Sequence, residues 1–229
     1  MFQLSTTYKK ILADTITPVS IYLKLRDKYP NSLLLESSDY HASDNSFSYI
    51  CCNPIASFKV ENEVIISTFP DGNTQTINID AEVSVPQEIQ KFSQMFKADS
   101  SEFKFINNGL FGYIAYDSVR YFENVEVTRK EKDLKIPDIY YAVYQNIIAI
   151  NHFKNEAYIF DHSYDSKSKI EEIEQLLKVK NFASYNFSRF EGPVSNLSDE
   201  EYRNVVEQAK EHCHRGDVFQ LVLSRRFSQ

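Results

Sequence analysis

Two groups of polar residues interrupt apolar runs in this sequence. In VFQLVLSRRF, residues 218–227, strand alternation puts Phe219, Leu221 and Leu223 on one face. The other face carries Val218, Gln220, Val222, Ser224 and Arg226. A buried strand does not hold Gln, Ser and Arg in register unless each has a partner, so this face is a candidate ligand-reading surface. Its Gln220 can donate and accept hydrogen bonds but cannot take up a proton as a base would. The second group follows Leu33-Leu34-Leu35, which runs straight into Glu36-Ser37-Ser38-Asp39. That is a strand with a polar end, where a carboxylate can pair with a cation and a hydroxyl can bind an anion.

Other patterns exclude more than they offer. The five glycines are Gly72, Gly109, Gly112, Gly192 and Gly216, and no glycine-rich phosphate cradle can be built from them. No G-x-S-x-G supports a nucleophilic serine. His212, Cys213 and His214 are adjacent on a helix, so the two histidines lie on different sides and make a poor metal pair. Residues Arg215-Gly216-Asp217 read as a helix end and the entry to the next segment. His41, His152 and His162 fall in turn-like contexts and are expected to be solvated.

The chain of 229 residues is 42% hydrophobic and 25% charged, an ordinary globular composition. Its formal charge of -7 argues against a nucleic-acid footprint and gives no long-range attraction for an anionic substrate. Three cysteines with an adjacent pair make a poor disulfide framework. Cys51 and Cys52 should point to opposite faces of a strand as reduced core thiols, which fits a cytoplasmic protein. No signal-peptide run and no 18-residue apolar stretch are present, so no membrane association is expected.

The elements that must position these residues read as α+β. Thr17-Pro18 opens a helix that Pro30 ends. Residues 46–79 form an antiparallel meander in which Pro54 breaks one strand, with tight turns at Glu61-Asn62-Glu63 and Pro70-Asp71-Gly72-Asn73. Pro86 starts a helix whose Ile89, Phe92, Met95 and Phe96 face a core. Residues 109–116 are an aromatic strand in which Gly marks close approach of a backbone or ligand. Asp117-Ser118 can cap a short helix. Residues 139–150 and 156–161 form a hairpin, and 166–180 a helix. Gly192-Pro193 lies in a turn-rich stretch, the best boundary in the chain. Ser198-Asp199-Glu200-Glu201 is a capping box, Gly216 ends that helix, and 218–227 follows as a strand.

Four stretches together resemble the N-terminal half of anthranilate synthase component I. They are LLLESSDY at 33–40, GLFGYIAYDSVRYFE at 109–123, PDIYYAVYQNIIAI at 137–150, and SNLSDEEYRNVVEQAKEHCHRGDVFQLVLSRRFS at 195–228. The last is the most specific, because its helix, Gly-Asp, Phe-Gln and Val-Leu-Ser fall in the family order. The resemblance covers essentially the whole chain but about half of the family's usual length.

The resemblance implies an incomplete half of an α+β fold with packed, mostly antiparallel sheets and flanking helices. It implies a regulatory region at 1–190 and the start of a chorismate-binding catalytic region at 191–229. Members convert chorismate and ammonia to anthranilate and pyruvate with Mg²⁺, and a glutamine amidotransferase subunit supplies the ammonia. Tryptophan inhibits them at the Leu-Glu-Ser stretch, which corresponds to Glu36 and Ser37. Members often have Arg-Tyr-Ser where Ser46-Phe47-Ser48 stands, so an anion contact from Ser46 is in doubt. The related isochorismate synthases place a lysine at the Gln220 position to activate water; an amide there suits ammonia attack. The metal-holding glutamates and the catalytic histidine belong to the family's later half, so no metal site and no turnover are expected of these 229 residues. Aminodeoxychorismate synthase, which carries the same amide, and a stand-alone tryptophan-binding module are the competing readings.

Overall fold

The computed structural model describes residues 1–36, 46–99, 102–125, 127, 136–179, 185–186, 188 and 192–229. They fall into two compact units, residues 1–183 and 184–229.

The first unit is built on one nine-stranded sheet. Its strands are β1 (Phe2–Leu12), β2 (Leu33–Glu36), β3 (Phe47–Glu61), β4 (Val64–Thr68), β5 (Thr74–Asn78), β6 (Phe96–Ala98), β7 (Phe111–Ile114), β8 (Ile139–Asn151) and β9 (Glu156–Ser163). The order is β5-β4-β3-β8-β9-β1-β6, with β2 paired to β3 and β7 to β8. Among the described residues only the β1–β6 pairing is parallel. Helices α1 (Pro18–Leu25), α2 (Val85–Gln94) and α3 (Ile170–Lys178) accompany the sheet.

Local chemistry explains several of these elements. Thr17 caps α1 by accepting from Ser20 N at 3.1 Å, and Pro18 follows where its missing N–H costs nothing. Asn62 and Glu63 both adopt positive φ, the geometry of a tight hairpin turn, and join β3 to β4. The β8–β9 hairpin is the centre of the sheet. From Ala142 to Asn151 every residue of β8 is buried, as befits a strand with neighbours on both edges and packing on both faces.

Cys51 and Cys52 are both free and fully buried and sit in different core clusters, as strand alternation requires. Cys52 packs with Ile21 and Leu25 of α1, Ile148, Ile159 and Ile173. Cys51 packs with Phe111, Tyr144, Ile147 and Phe160. Burial pushes the Cys52 thiol up to about 12, so it is a neutral apolar side chain at physiological pH. Gly112 of β7 lies so close to β8 that a Cβ there would run into the Tyr140 carbonyl. The close neighbour at this strand glycine is thus a backbone.

Three expectations are corrected, and one strand went unread in the sequence. Pro54 does not end a strand: β3 runs through it by a register shift between Pro54 and Ala56, with Asn53 at positive φ, so a bulge absorbs the proline. The segment Phe2–Leu12 forms a strand, although its run of Ser, Thr and Lys hides the alternation. Met95 stands at the end of α2 and is 36% exposed, not part of the core stripe. His162 lies within β9 and is fully buried, not solvated.

The second unit contains α4 (Asp199–Arg215) and a two-stranded pairing of β10 (Val194–Ser195) with β11 (Phe227–Ser228). The capping box is complete: Glu201 N donates to Ser198 Oγ at 3.2 Å, and Ser198 N donates to Glu201 Oε2 at 2.7 Å. Gly216 ends α4 at φ 79. The expected strand over 218–227 is not formed, and only Phe227–Ser228 pairs. A strand needs a neighbour for its ladder, and among the described residues β10 offers only two.

Candidate functional site

Glu36 is the last residue of β2 and lies opposite Ser48 of β3. Ser48 is itself paired to Ile150 of β8. The Ser48 hydroxyl, 1% exposed, is hydrogen bonded to His152 Nε2 at 2.7 Å. His152 N donates to Ser46 O at 3.1 Å, which ties the β8–β9 turn to the start of β3. The same turn is held from within by Lys154 N donating to Asn151 Oδ1 at 2.9 Å. Ala13 N donates to Asn155 O at 2.9 Å, which draws in the β1–α1 connection.

Between these segments is a cleft of about 440 Å³ lined by Asp14, Thr17, Glu36, Asn151, His152 and Asn155, among others. Its formally charged lining groups are the carboxylates of Asp14 and Glu36. Among the described residues no lysine or arginine lines it. Such a cleft is suited to the ammonium end of a small molecule. Ser37, the other residue expected to read an amino acid, lies outside the described residues, as does His41.

Gln220 belongs to the second unit, in the segment after α4 that forms no strand. It is exposed, and Phe219 beside it is 100% exposed. Ser224 and Arg226 therefore do not share a strand face with it. Arg226 N instead donates to Asn196 Oδ1 at 2.8 Å. The adjacent Arg225 reaches Asp199 Oδ1 at 2.6 Å and Ser195 Oγ at 2.6 Å, pinning the end of this segment to α4 and β10. His212 and Asp217 pair at 2.8 Å at the end of α4, and Cys213 is exposed.

Among the described residues no group of three or more His, Cys, Asp and Glu side chains could hold a metal ion. No helix among them is long and apolar enough to cross a membrane.

Sequence reasoning missed a buried polar cluster in the first unit. Asp161, fully buried, accepts from Asn146 Nδ2 at 2.7 Å, Lys169 N at 2.8 Å and Gln145 Nε2 at 3.2 Å. Asn53 Nδ2 in turn donates to Gln145 Oε1 at 2.7 Å. The signal available in the sequence was Gln145-Asn146 inside an otherwise apolar strand. By the argument applied to Gln220, those amides required partners.

A mostly antiparallel sheet with flanking helices, and a separate unit headed by a capped helix, define an α+β protein with a cleft at one strand end. The chain belongs to the chorismate binding enzyme family, which matches residues 31–229. It is 29% identical to anthranilate synthase component 1 of Lactococcus lactis subsp. lactis over 96% of this chain and 48% of that protein. It is 26% identical to anthranilate synthase component 1 of Aquifex aeolicus, over 96% and 47%. The fold is similar to the crystal structure of anthranilate synthase component I from Streptococcus pneumoniae TIGR4, with a TM-score of 0.53 and 24% identity, over 96% of this chain and 48% of that one. The chain spans about half the length of the curated relatives it matches.

Proposed function

We propose that this chain is the inhibitor-binding portion, with the first part of the catalytic portion, of an enzyme that makes anthranilate and pyruvate from chorismate and ammonia. The observation that carries the reading is the similarity to anthranilate synthase component 1 proteins along 96% of the chain. In this reading a glutamine amidotransferase subunit supplies the ammonia. Mg²⁺ is held by residues outside those described. The 229 residues alone do not turn over chorismate.

The first unit binds tryptophan as a feedback inhibitor. Glu36, in a cleft whose described lining holds Asp14 and Glu36 but no lysine or arginine, pairs with the ammonium of the amino acid, and Ser37 assists. Gln220 stands on the nucleophile side of the chorismate site. Because an amide cannot remove a proton from water, it disfavours hydrolysis and leaves ammonia as the attacking species.

Two measurements test this. The sequence has no tryptophan of its own, so the fluorescence of added L-tryptophan reports binding directly. Saturable binding that weakens about tenfold in Glu36→Ala, which removes a charge-assisted contact, is the expected result. Equal binding by the variant rejects the assignment of Glu36. Anthranilate fluorescence is then followed with chorismate, ammonium and Mg²⁺. Product formed by the 229-residue chain alone rejects its proposed inactivity.

A further inference from the structure

A second cavity lies within the first unit and has no part in the reading above. It measures about 150 Å³. Leu4 of β1, Phe96 and Ala98 of β6, Leu110, and Val143 of β8 supply its apolar lining. Ser93, Asn108, Gly109, Tyr144 and His162 complete it. No charged side chain is among these residues.

The side chains that could read a polar group in the interior are already engaged. His162 Nε2 donates to Asn107 O at 2.7 Å, since a carbonyl can only accept, and Nδ1 accepts from the Thr6 hydroxyl at 3.0 Å. The Tyr144 hydroxyl donates to Asn31 O at 2.8 Å. The Ser93 hydroxyl donates to Gln90 O at 2.8 Å. Asn108 and Gly109 are exposed and form the rim. A Cβ at Gly109 would meet nothing within 4 Å, so the rim is open there.

We infer that this cavity binds a small neutral aromatic molecule, a single ring whose one polar substituent points to the Asn108 rim. The size sets the ring: about 150 Å³ is room for a benzene-sized guest. The lining residues, none of them acidic, lysine or arginine, set the rest. A charged guest would lose its hydration and find no opposite charge in exchange. A neutral ring gains contact with Phe96, Leu110 and Val143 that the empty cavity lacks.

The test uses the 229-residue chain with phenol as the probe and benzoate as its charged counterpart. Saturation-transfer and titration NMR give the affinities. The expected dissociation constant for phenol is roughly millimolar, the range open to a ligand of about seven heavy atoms. Benzoate should bind at least about tenfold more weakly, and Ala98→Phe, which fills the cavity, should weaken phenol by at least about tenfold. Glu36→Ala should leave phenol binding unchanged. Intermolecular NOEs from phenol to the methyls of Leu110 and Val143 are expected in the unsubstituted chain, so the site is tested even if Ala98→Phe does not fold. Absence of saturable phenol binding, NOEs only to other residues, or benzoate binding as tightly as phenol would each overturn the inference.

Discussion

Ser48 Oγ and His152 Nε2 are 104 residues apart in sequence and 2.7 Å apart in space. This contact joins the start of β3 to the β8–β9 turn beneath the carboxylate that ends β2. It is a side-chain bond between two loop-proximal positions, with Ser48 buried and His152 partly exposed. It fixes the wall of the Glu36 cleft rather than the core.

Removing either partner should therefore cost moderate stability and act on the cleft. Ser48→Ala leaves His152 Nε2 without this bond and should cost about 1–2 kcal/mol in urea unfolding. Ser48→Ala and His152→Ala together should cost less than the sum of the two singles by about 1 kcal/mol. Additive losses would mean that the two side chains act independently.

His162 gives the fold a predictable acid sensitivity. Burial lowers its pKa below 6.5, against smaller opposing effects of Asn107 and Asp161. In the unfolded chain the same imidazole takes a proton near pH 6.5. The unfolded state thus binds more protons as pH falls through 6.5, and the folded state loses stability. Above that pH the neutral His162 contributes no such loss. The expected slope from this group is at most about 1.4 kcal/mol per pH unit, between 6.5 and the lowered folded value. Glu156 and Glu172, paired with Lys10 and Lys28, have lowered pKa values and lose their stabilisation at more acidic pH. Urea melts of the protein and of His162→Gln at pH 7 and pH 5.5 separate the two effects, since the variant should show a flatter dependence in that window.

Asp161 should be among the most sensitive positions in the first unit. Asp161→Ala strands the buried Asn146 amide, takes one acceptor from Gln145 Nε2, which keeps the Lys167 carbonyl, and removes the partner of the part-buried Lys169 N–H at the start of α3. Unsatisfied buried donors of this kind predict a loss of about 3–5 kcal/mol, with α3 released first. Hydrogen exchange of the Ile173 and Leu177 amides, compared with that of β8, checks the order of release.

Gly112→Ala should destabilise β7 specifically. The added methyl would meet the Tyr140 backbone, which cannot rotate away as a side chain could. A loss of about 2 kcal/mol or more in urea unfolding is expected, whereas Gly192→Ala, where a Cβ meets nothing within 4 Å, should cost far less.

How much of this was legible in the sequence depended on the range of the interaction concerned. Thr17-Pro18, the Ser198–Glu201 box and Gly216 act within one helical turn, and each lies where the sequence places it. The 139–161 hairpin and the opposite faces of Cys51 and Cys52 follow from a period of two along a single strand. The family, too, is carried by contiguous motifs. The sequence alone therefore determined the α+β class, the helix starts at Thr17 and Ser198, the helix end at Gly216 and the family to which the chain belongs, while α1 stops at Leu25, short of Pro30, and α3 spans Ile170–Lys178, less than the expected 166–180.

Only the tertiary structure decided matters that depend on distant partners. Pro54 looks like a strand breaker until the bulge opposite Tyr144 accommodates it. His162 reads as a turn residue until Thr6 and Asn107, 156 and 55 residues away, take up both ring nitrogens. Val218–Phe227 has the alternation of a strand but stays unpaired over most of its length, because alternation specifies faces and cannot supply a neighbouring ladder. The Glu36 cleft and the cavity beside His162 likewise exist only where segments far apart in sequence converge, since burial and hydrogen bonding depend on what the chain brings alongside.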